Sequence, residues 1–95
     1  MADEACNVKI IEIEIQNTLG LHARPASMFV QQAINFEAEV TVEKNGEIVN
    51  GKSLMGLLML SATYGSTLKI TVEGPDSEKA IAALTELINR KFDEE

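Results

Sequence analysis

Residues 20–26 place a histidine among groups that could bind an anion. The segment reads Gly-Leu-His-Ala-Arg-Pro-Ala, and His22 is the only histidine in the chain. Helical spacing of apolar residues begins at Ala23, so His22 is expected at the N-terminal junction of a helix. The first turn of a helix has free N–H groups and a partial positive charge, and both favour an anion such as phosphate. Arg24 adds a guanidinium whose planar fork matches phosphoryl oxygens. The pattern therefore suits a phosphorylated histidine.

The neighbours of His22 are compatible with this chemistry. Ala23 is small and leaves the ring accessible, and the backbone N–H groups of Ala23 and Arg24 are the expected phosphate-binding donors. Pro25 lacks an N–H but is tolerated in a first turn, and Gly20 allows the loop to approach closely. The alternative is an exposed junction histidine beside a solvated arginine. Because arginine in a first turn opposes the helix dipole, the pattern favours function, but the residues alone leave both interpretations open.

The periodicity of apolar residues predicts the elements that position this segment. Alternation of apolar and polar residues predicts strands, at Val8–Ile15, Glu37–Lys44, Glu47–Asn50 and Thr67–Glu73. Helical spacing predicts three helices, at Ala23–Ile34, Leu54–Thr63 and Ser77–Phe92. Asn45-Gly46 is a strong hairpin signal between the second and third strands. We expect Gly65 to end the second helix as a left-handed cap.

The resulting order, β-α-β-β-α-β-α, predicts an α+β fold. Alternating strands need only one covered face, so we expect a four-stranded antiparallel sheet with all three helices on one side. A chain of 95 residues is expected to form a single domain over residues 1–95. We expect an ordered core from about residue 8 to residue 92, with tails at 1–7 and 93–95.

The second helix begins with another candidate site. Ser53 precedes it and is a suitable N-cap residue. The helix has more apolar residues than one buried stripe requires, so Leu57 and Leu60 are expected in the core. The remainder, together with Met28 of the first helix, could form an exposed surface for several partners. Ordinary packing in a short helix is the alternative.

Composition excludes some partners and compartments. The formal charge of −7 argues against nucleic acid or an anionic membrane as the main partner, since both require a basic surface. No apolar stretch approaches the length of a membrane span, and the N-terminal residues do not resemble an export signal. A cytoplasmic protein is expected. Cys6 is the only cysteine and has no assignable role.

Two segments resemble the signatures of a known family. Gly20-Leu21-His22-Ala23-Arg24-Pro25-Ala26 is similar to the active-site signature of HPr, the histidine-containing phosphocarrier of the bacterial phosphotransferase system. Asn50-Gly51-Lys52-Ser53-Leu54-Met55-Gly56-Leu57-Leu58 resembles the signature around the regulatory serine of that family. The resemblance extends from about Val8 to Ile88, and it implies an open-faced β-sandwich.

The resemblance also implies a function and its partners. His22 would accept a phosphoryl group on Nδ1 from phospho-Enzyme I, with Arg24 stabilising its charge, and pass it to IIA domains of sugar permeases. Ser53 would be phosphorylated by HPr kinase/phosphorylase, which connects the chain to a catabolite-control transcription factor. The resemblance implies a stoichiometric carrier rather than an enzyme, a monomer, and no metal or other cofactor. Six residues are expected to dock partners: Leu21, Ala23, Met28, Leu54, Met55 and Leu58.

Two other interpretations are consistent with the sequence. The chain could be a primarily regulatory HPr, in carbon catabolite control or in the nitrogen branch of the phosphotransferase system. A ligand-binding domain of ferredoxin-like order is a more distant possibility, because the extra C-terminal helix and the paired signatures argue against it.

Overall fold

The computed structural model describes residues 7–94, and Cys6 therefore lies outside the described residues. It contains four strands, β1 to β4, at Val8–Glu14, Glu39–Lys44, Glu47–Asn50 and Thr67–Glu73. It contains three α-helices, α1 to α3, at Ala23–Ala33, Leu54–Met59 and Ser77–Asn89. A short turn at Lys91–Asp93, whose residues have positive φ, follows α3 and is here called the C-terminal turn. The predicted element order is confirmed.

The four strands form one antiparallel sheet in the order β1-β4-β2-β3. Ile70 of β4 lies at the centre, opposite Ile11 of β1 on one side and Val42 of β2 on the other. The hairpin between β2 and β3 turns at Asn45 and Gly46, both with positive φ, as a type I′ turn requires. The sheet therefore has the predicted antiparallel form.

The helices cover one face of the sheet and enclose a single apolar core. The inward positions of the strands alternate as predicted, with Val40, Val42 and Ile70 almost fully buried. Phe29 of α1 and Leu84 of α3 fill the space between helices and sheet. The opposite face of the sheet remains open to solvent, which confirms the predicted α+β architecture with helices on one side.

Helix α2 is shorter than predicted, and Gly65 does not cap it. The helix ends at Met59, and Ser61 adopts a positive φ of 55°. The carbonyls of Leu60 and Ser61 instead accept hydrogen bonds from Lys44 Nζ, at 3.2 and 2.9 Å. The chain then pairs with the loop before His22 through the Leu21 N–H to Ala62 carbonyl bond of 2.8 Å. These long-range hydrogen bonds satisfy backbone carbonyls that would have accepted hydrogen bonds within a longer helix.

The C-terminal boundary also differs from the prediction. Helix α3 ends at Asn89 rather than Phe92, and Phe92 is completely buried beyond it in the C-terminal turn. Residues 93 and 94 were expected in a tail, but Asp93 belongs to this turn and the Glu94 side chain is only 16% exposed. Burial of the Phe92 ring holds the chain end against the domain.

Candidate functional site

His22 lies at the predicted helix junction. It is the N-cap residue of α1 with an extended backbone, and its carbonyl accepts the first bond of the helix from Ala26 N–H at 2.9 Å. Its side chain does not cap the helix, so the ring is available for other contacts. The ring is 38% exposed. Within residues 7–94, the N–H groups of Ala23 and Arg24 have no hydrogen-bond acceptor, as expected for a first turn.

A close contact behind Gly20 fixes the loop that carries the histidine. Gly20 has a φ of +73°, and a Cβ there would lie 2.6 Å from the Ala62 carbonyl oxygen. Its N–H bonds to the Asn17 carbonyl at 3.0 Å, and its own carbonyl accepts from His22 N–H at 3.0 Å. Only glycine fits this backbone approach, as the sequence predicted.

Three side chains converge on the carboxylate of Glu94 at this position. His22 Nε2 lies 3.1 Å from each carboxylate oxygen, and Arg24 Nη1 donates to Oε2 at 3.0 Å. Asn17 Nδ2 donates to Oε1 at 3.1 Å. We call this group of four residues the His22 cluster. It brings His22 and Arg24 together, as predicted, and adds two residues that sequence reasoning missed.

Asn17 is the buried member of the His22 cluster. It is fully inaccessible to solvent, and Nδ2 also donates to the Gly20 carbonyl at 2.7 Å. Within the described chain, its Oδ1 has no hydrogen-bond partner. The available signal was an asparagine in the loop that follows a strand, where this residue commonly stabilises the loop.

The electrostatics of the His22 cluster keep Glu94 ionised. Removal from water raises the pKa of the Glu94 carboxyl, but the hydrogen bonds from His22, Arg24 and Asn17 outweigh this effect and the pKa is lowered. Arg24 is 55% exposed, and its Nη1 also donates to the Phe92 carbonyl at 3.3 Å. The site therefore binds carboxylate oxygens next to an exposed imidazole at a helix N-terminus.

Ser53 caps α2, as predicted. Its hydroxyl oxygen accepts a hydrogen bond from Gly56 N–H at 3.0 Å, and its backbone is extended. The side chain of the preceding residue, Lys52, is fixed by a hydrogen bond that its Nζ donates to the Phe36 carbonyl at 2.7 Å. Ser53 itself is half-buried, so its hydroxyl lies at the edge of the surface.

The predicted docking residues divide into three groups. Ala23, Leu54 and Met55 are exposed, with Met55 at 69%. Met28 and Leu58 are half-buried and pack against the core. Leu21 is buried at 5% exposure, because the bond from its N–H to Ala62 turns it inward, and its side chain cannot contribute to an exposed surface.

The chain is similar in sequence to several known proteins. A family profile described as the PTS HPr component phosphorylation site matches residues 10–90. Phosphocarrier protein HPr of Neisseria meningitidis serogroup A is 51% identical over 86% of this chain and 92% of its own. HPr-like protein Crh of Halalkalibacterium halodurans is 42% identical over 84% of this chain and 95% of its own.

Solved structures show the same fold. The crystal structure of HPr-C-His from Thermoanaerobacter tengcongensis superposes with a TM-score of 0.89 and 49% identity, covering 92% of this chain and 98% of its own. A crystal structure of an HPr dimer from the same organism has a TM-score of 0.72 and 50% identity, covering 84% and 92%. No helix within residues 7–94 is long and apolar enough to cross a bilayer.

Proposed function

This chain belongs to the HPr family of phosphocarrier proteins of the phosphotransferase system, and on that premise we propose that it carries a phosphoryl group on His22. The position of His22 carries the proposal. Its ring is exposed at the start of an eleven-residue helix, beside free first-turn N–H groups and the Arg24 guanidinium. Phosphoryl transfer asks mainly for positioning and charge neutralisation, and this geometry supplies both.

The phosphoryl group would bind at Nδ1 of His22. The N–H groups of Ala23 and Arg24 would donate hydrogen bonds to its oxygens, and the guanidinium of Arg24 would neutralise part of its charge. A helix terminus and one exposed arginine stabilise phosphohistidine moderately. Moderate stability suits a carrier, because the group must also leave again. The chain is then a stoichiometric intermediate that receives the phosphoryl group from one protein and gives it to another.

Enzyme I would supply the phosphoryl group, and IIA domains of sugar permeases would receive it in the cytoplasm. Exposed Ala23, Leu54 and Met55, with half-buried Met28 and Leu58 at the border, form the proposed docking surface. Soft, unbranched methionine suits a surface that fits several partners in turn. We propose that the chain acts as a monomer, although the HPr dimer of the T. tengcongensis relative makes the oligomeric state a measurable question.

Incubation with phosphoenolpyruvate, Enzyme I and magnesium tests the carrier function. We expect one phosphoryl group per chain, in an adduct that is labile to acid and stable to base, as a phosphoramidate is. The adduct should be absent in His22→Ala, whose fold can be checked by circular dichroism. Since His22 is the only histidine, an acid-labile adduct that persists in His22→Ala would overturn the proposal.

Regulation through Ser53 is the second proposed function. The similarity to HPr-like protein Crh favours it, and so does the position of the hydroxyl at the start of α2. A phosphate there would add about two negative charges beside the docking surface and would repel an acidic partner. We expect HPr kinase/phosphorylase with ATP to modify wild type and not Ser53→Ala. Equal modification of both proteins would remove this function.

A further inference from the structure

Glu94 makes more contacts than an ordinary surface ion pair. Its carboxylate bonds to His22, Arg24 and Asn17 at 3.0 to 3.1 Å, and its side chain is 16% exposed. Asn17, which orients one of these bonds, is completely buried and is itself fixed to the Gly20 carbonyl. The carboxylate therefore has a defined place against the ring of His22.

The backbone that brings Glu94 to this place is strained. Lys91, Phe92 and Asp93 have φ values of 59°, 53° and 60°, and none of them is glycine. Consecutive left-handed residues of this kind cost about 1–2 kcal/mol each. Burial of Phe92 and the bond from Arg24 to its carbonyl hold the turn. Strain retained beside a chemically active group is typical of functional positioning.

The ring atom that Glu94 contacts determines the tautomer of His22. An ionised carboxylate only accepts hydrogen bonds, so Nε2 must carry the proton in both of its contacts with Glu94. The neutral ring then has its lone pair on Nδ1. Within the described residues, Nδ1 has no hydrogen-bond partner and is free to act as a nucleophile.

We propose that Glu94 is a positioning residue that holds the Nε2–H tautomer of His22 and presents the Nδ1 lone pair to the phosphoryl donor. The inference rests on the proposed carrier function. As the Nδ1–P bond forms, the P–N bond of the donor phosphohistidine breaks and its electron pair returns to the donor ring. The proton stays on Nε2. The positive charge that develops on the His22 ring is stabilised by the carboxylate across the Nε2–H bond, as in hydrolase triads.

Glu94→Ala and Glu94→Gln test the two parts of this role. Ring nitrogen shifts of His22, measured by two-dimensional NMR above the titration range of the ring, report the tautomer without any phosphorylation. In Glu94→Ala we expect the two shifts to move towards each other and the phosphorylation rate to fall about tenfold, the effect of one lost charge-assisted hydrogen bond. Glu94→Gln retains an acceptor for Nε2–H, so it should keep the wild-type shifts. Its phosphorylation should be slower, because an uncharged amide does not stabilise the positive charge on the ring.

Asp93→Asn is the matched control. Asp93 lies in the same turn but bonds to Arg90, and asparagine tolerates a left-handed backbone. It should keep both the wild-type ring shifts and the wild-type rate. Glu94→Ala with unchanged shifts, or with a rate equal to or above wild type, would overturn the positioning role. Failure of the wild type to become phosphorylated would instead refute the carrier function, and the ring shifts would still report the contact.

Discussion

At the residue scale, Arg24 serves two neighbours at once. Its Nη1 binds Glu94 Oε2 and the Phe92 carbonyl, while the guanidinium keeps further N–H donors for the proposed phosphoryl group. A lysine would keep the charge but not the planar fork that makes two directed contacts together. The shape of the side chain therefore matters here as well as its charge.

Arg24→Lys is expected to slow phosphoryl transfer on the order of tenfold and to leave the denaturant midpoint nearly unchanged. The side chain is 55% exposed, so its ion pair contributes little to folding. Rapid-quench phosphorylation and urea unfolding measure the two effects. Arg90→Lys alters an exposed arginine that is paired with Glu86 and Asp93, and it should change neither. A wild-type rate in Arg24→Lys would show that charge alone suffices.

At the element scale, Asp76 joins α3 to the connection between α1 and β2. It is the N-cap residue of α3, yet its side chain does not cap that helix. Its carboxylate instead accepts the N–H groups of Glu37 and Ala38, both at 2.9 Å. Because the N–H groups of Glu37 and Ala38 bond to Asp76 and not to a neighbouring strand, β2 begins at Glu39 and not at Glu37 as predicted.

The two hydrogen bonds to the Asp76 carboxylate predict that the stability of the fold decreases at acid pH. The pKa of the Asp76 carboxyl is lowered, and the hydrogen bond from the Glu37 N–H is the largest cause. Desolvation raises this pKa, but the hydrogen bond from the Ala38 N–H lowers it further. A lowered pKa in the folded state means that the contribution is fully present above the ordinary value of 3.8 and is lost as the pH falls below it. We expect urea midpoints to fall from pH 5 to pH 2.

Asp76→Asn should lower the midpoint at pH 7, because an amide cannot accept from both N–H groups as a carboxylate does. It should also reduce the fall of the urea midpoint between pH 5 and pH 2. Glu78→Gln, which changes an exposed carboxylate in the same helix, is the control and should retain the wild-type slope. If the urea midpoint of Asp76→Asn falls with pH as steeply as that of wild type, the hydrogen bonds to Asp76 do not stabilise the fold.

At the scale of the whole molecule, Phe92 holds the chain end in the core. The ring is completely buried, although α3 ended three residues earlier at Asn89. Its burial offsets the strain in the backbone of the C-terminal turn. It also places Glu94 beside His22, although the two residues lie near opposite ends of the sequence. Closure of the domain and completion of the His22 cluster therefore depend on the same side chain.

Phe92→Ala is expected to lower the free energy of unfolding by about 3–5 kcal/mol, through lost burial and the cavity left behind. Urea unfolding measures this change. Tyr64→Ala removes an aromatic ring that is 67% exposed and should have a much smaller effect. Equal effects of the two substitutions would contradict a structural role for Phe92.

Much of the fold could be predicted because its signals are local. The alternation around Val40 and Val42, the Asn45-Gly46 turn and the helical spacing after Ala23 each lie within a few residues. The position of His22 at the start of α1 follows from the same spacing. The end of α2 could not be predicted, because Lys44, on a distant strand, donates to the carbonyls of Leu60 and Ser61 just beyond the helix.

The sequence by itself determined the element order, the helix junction at His22 and the proximity of Arg24, since neighbouring residues set all three. Only the tertiary structure decided what faces the ring. Glu94 lies 72 residues from His22 and 77 from Asn17 in the chain. No periodic pattern connects positions so far apart. They meet because burial of Phe92 turns the chain end back towards α1 and places a carboxylate among three donors.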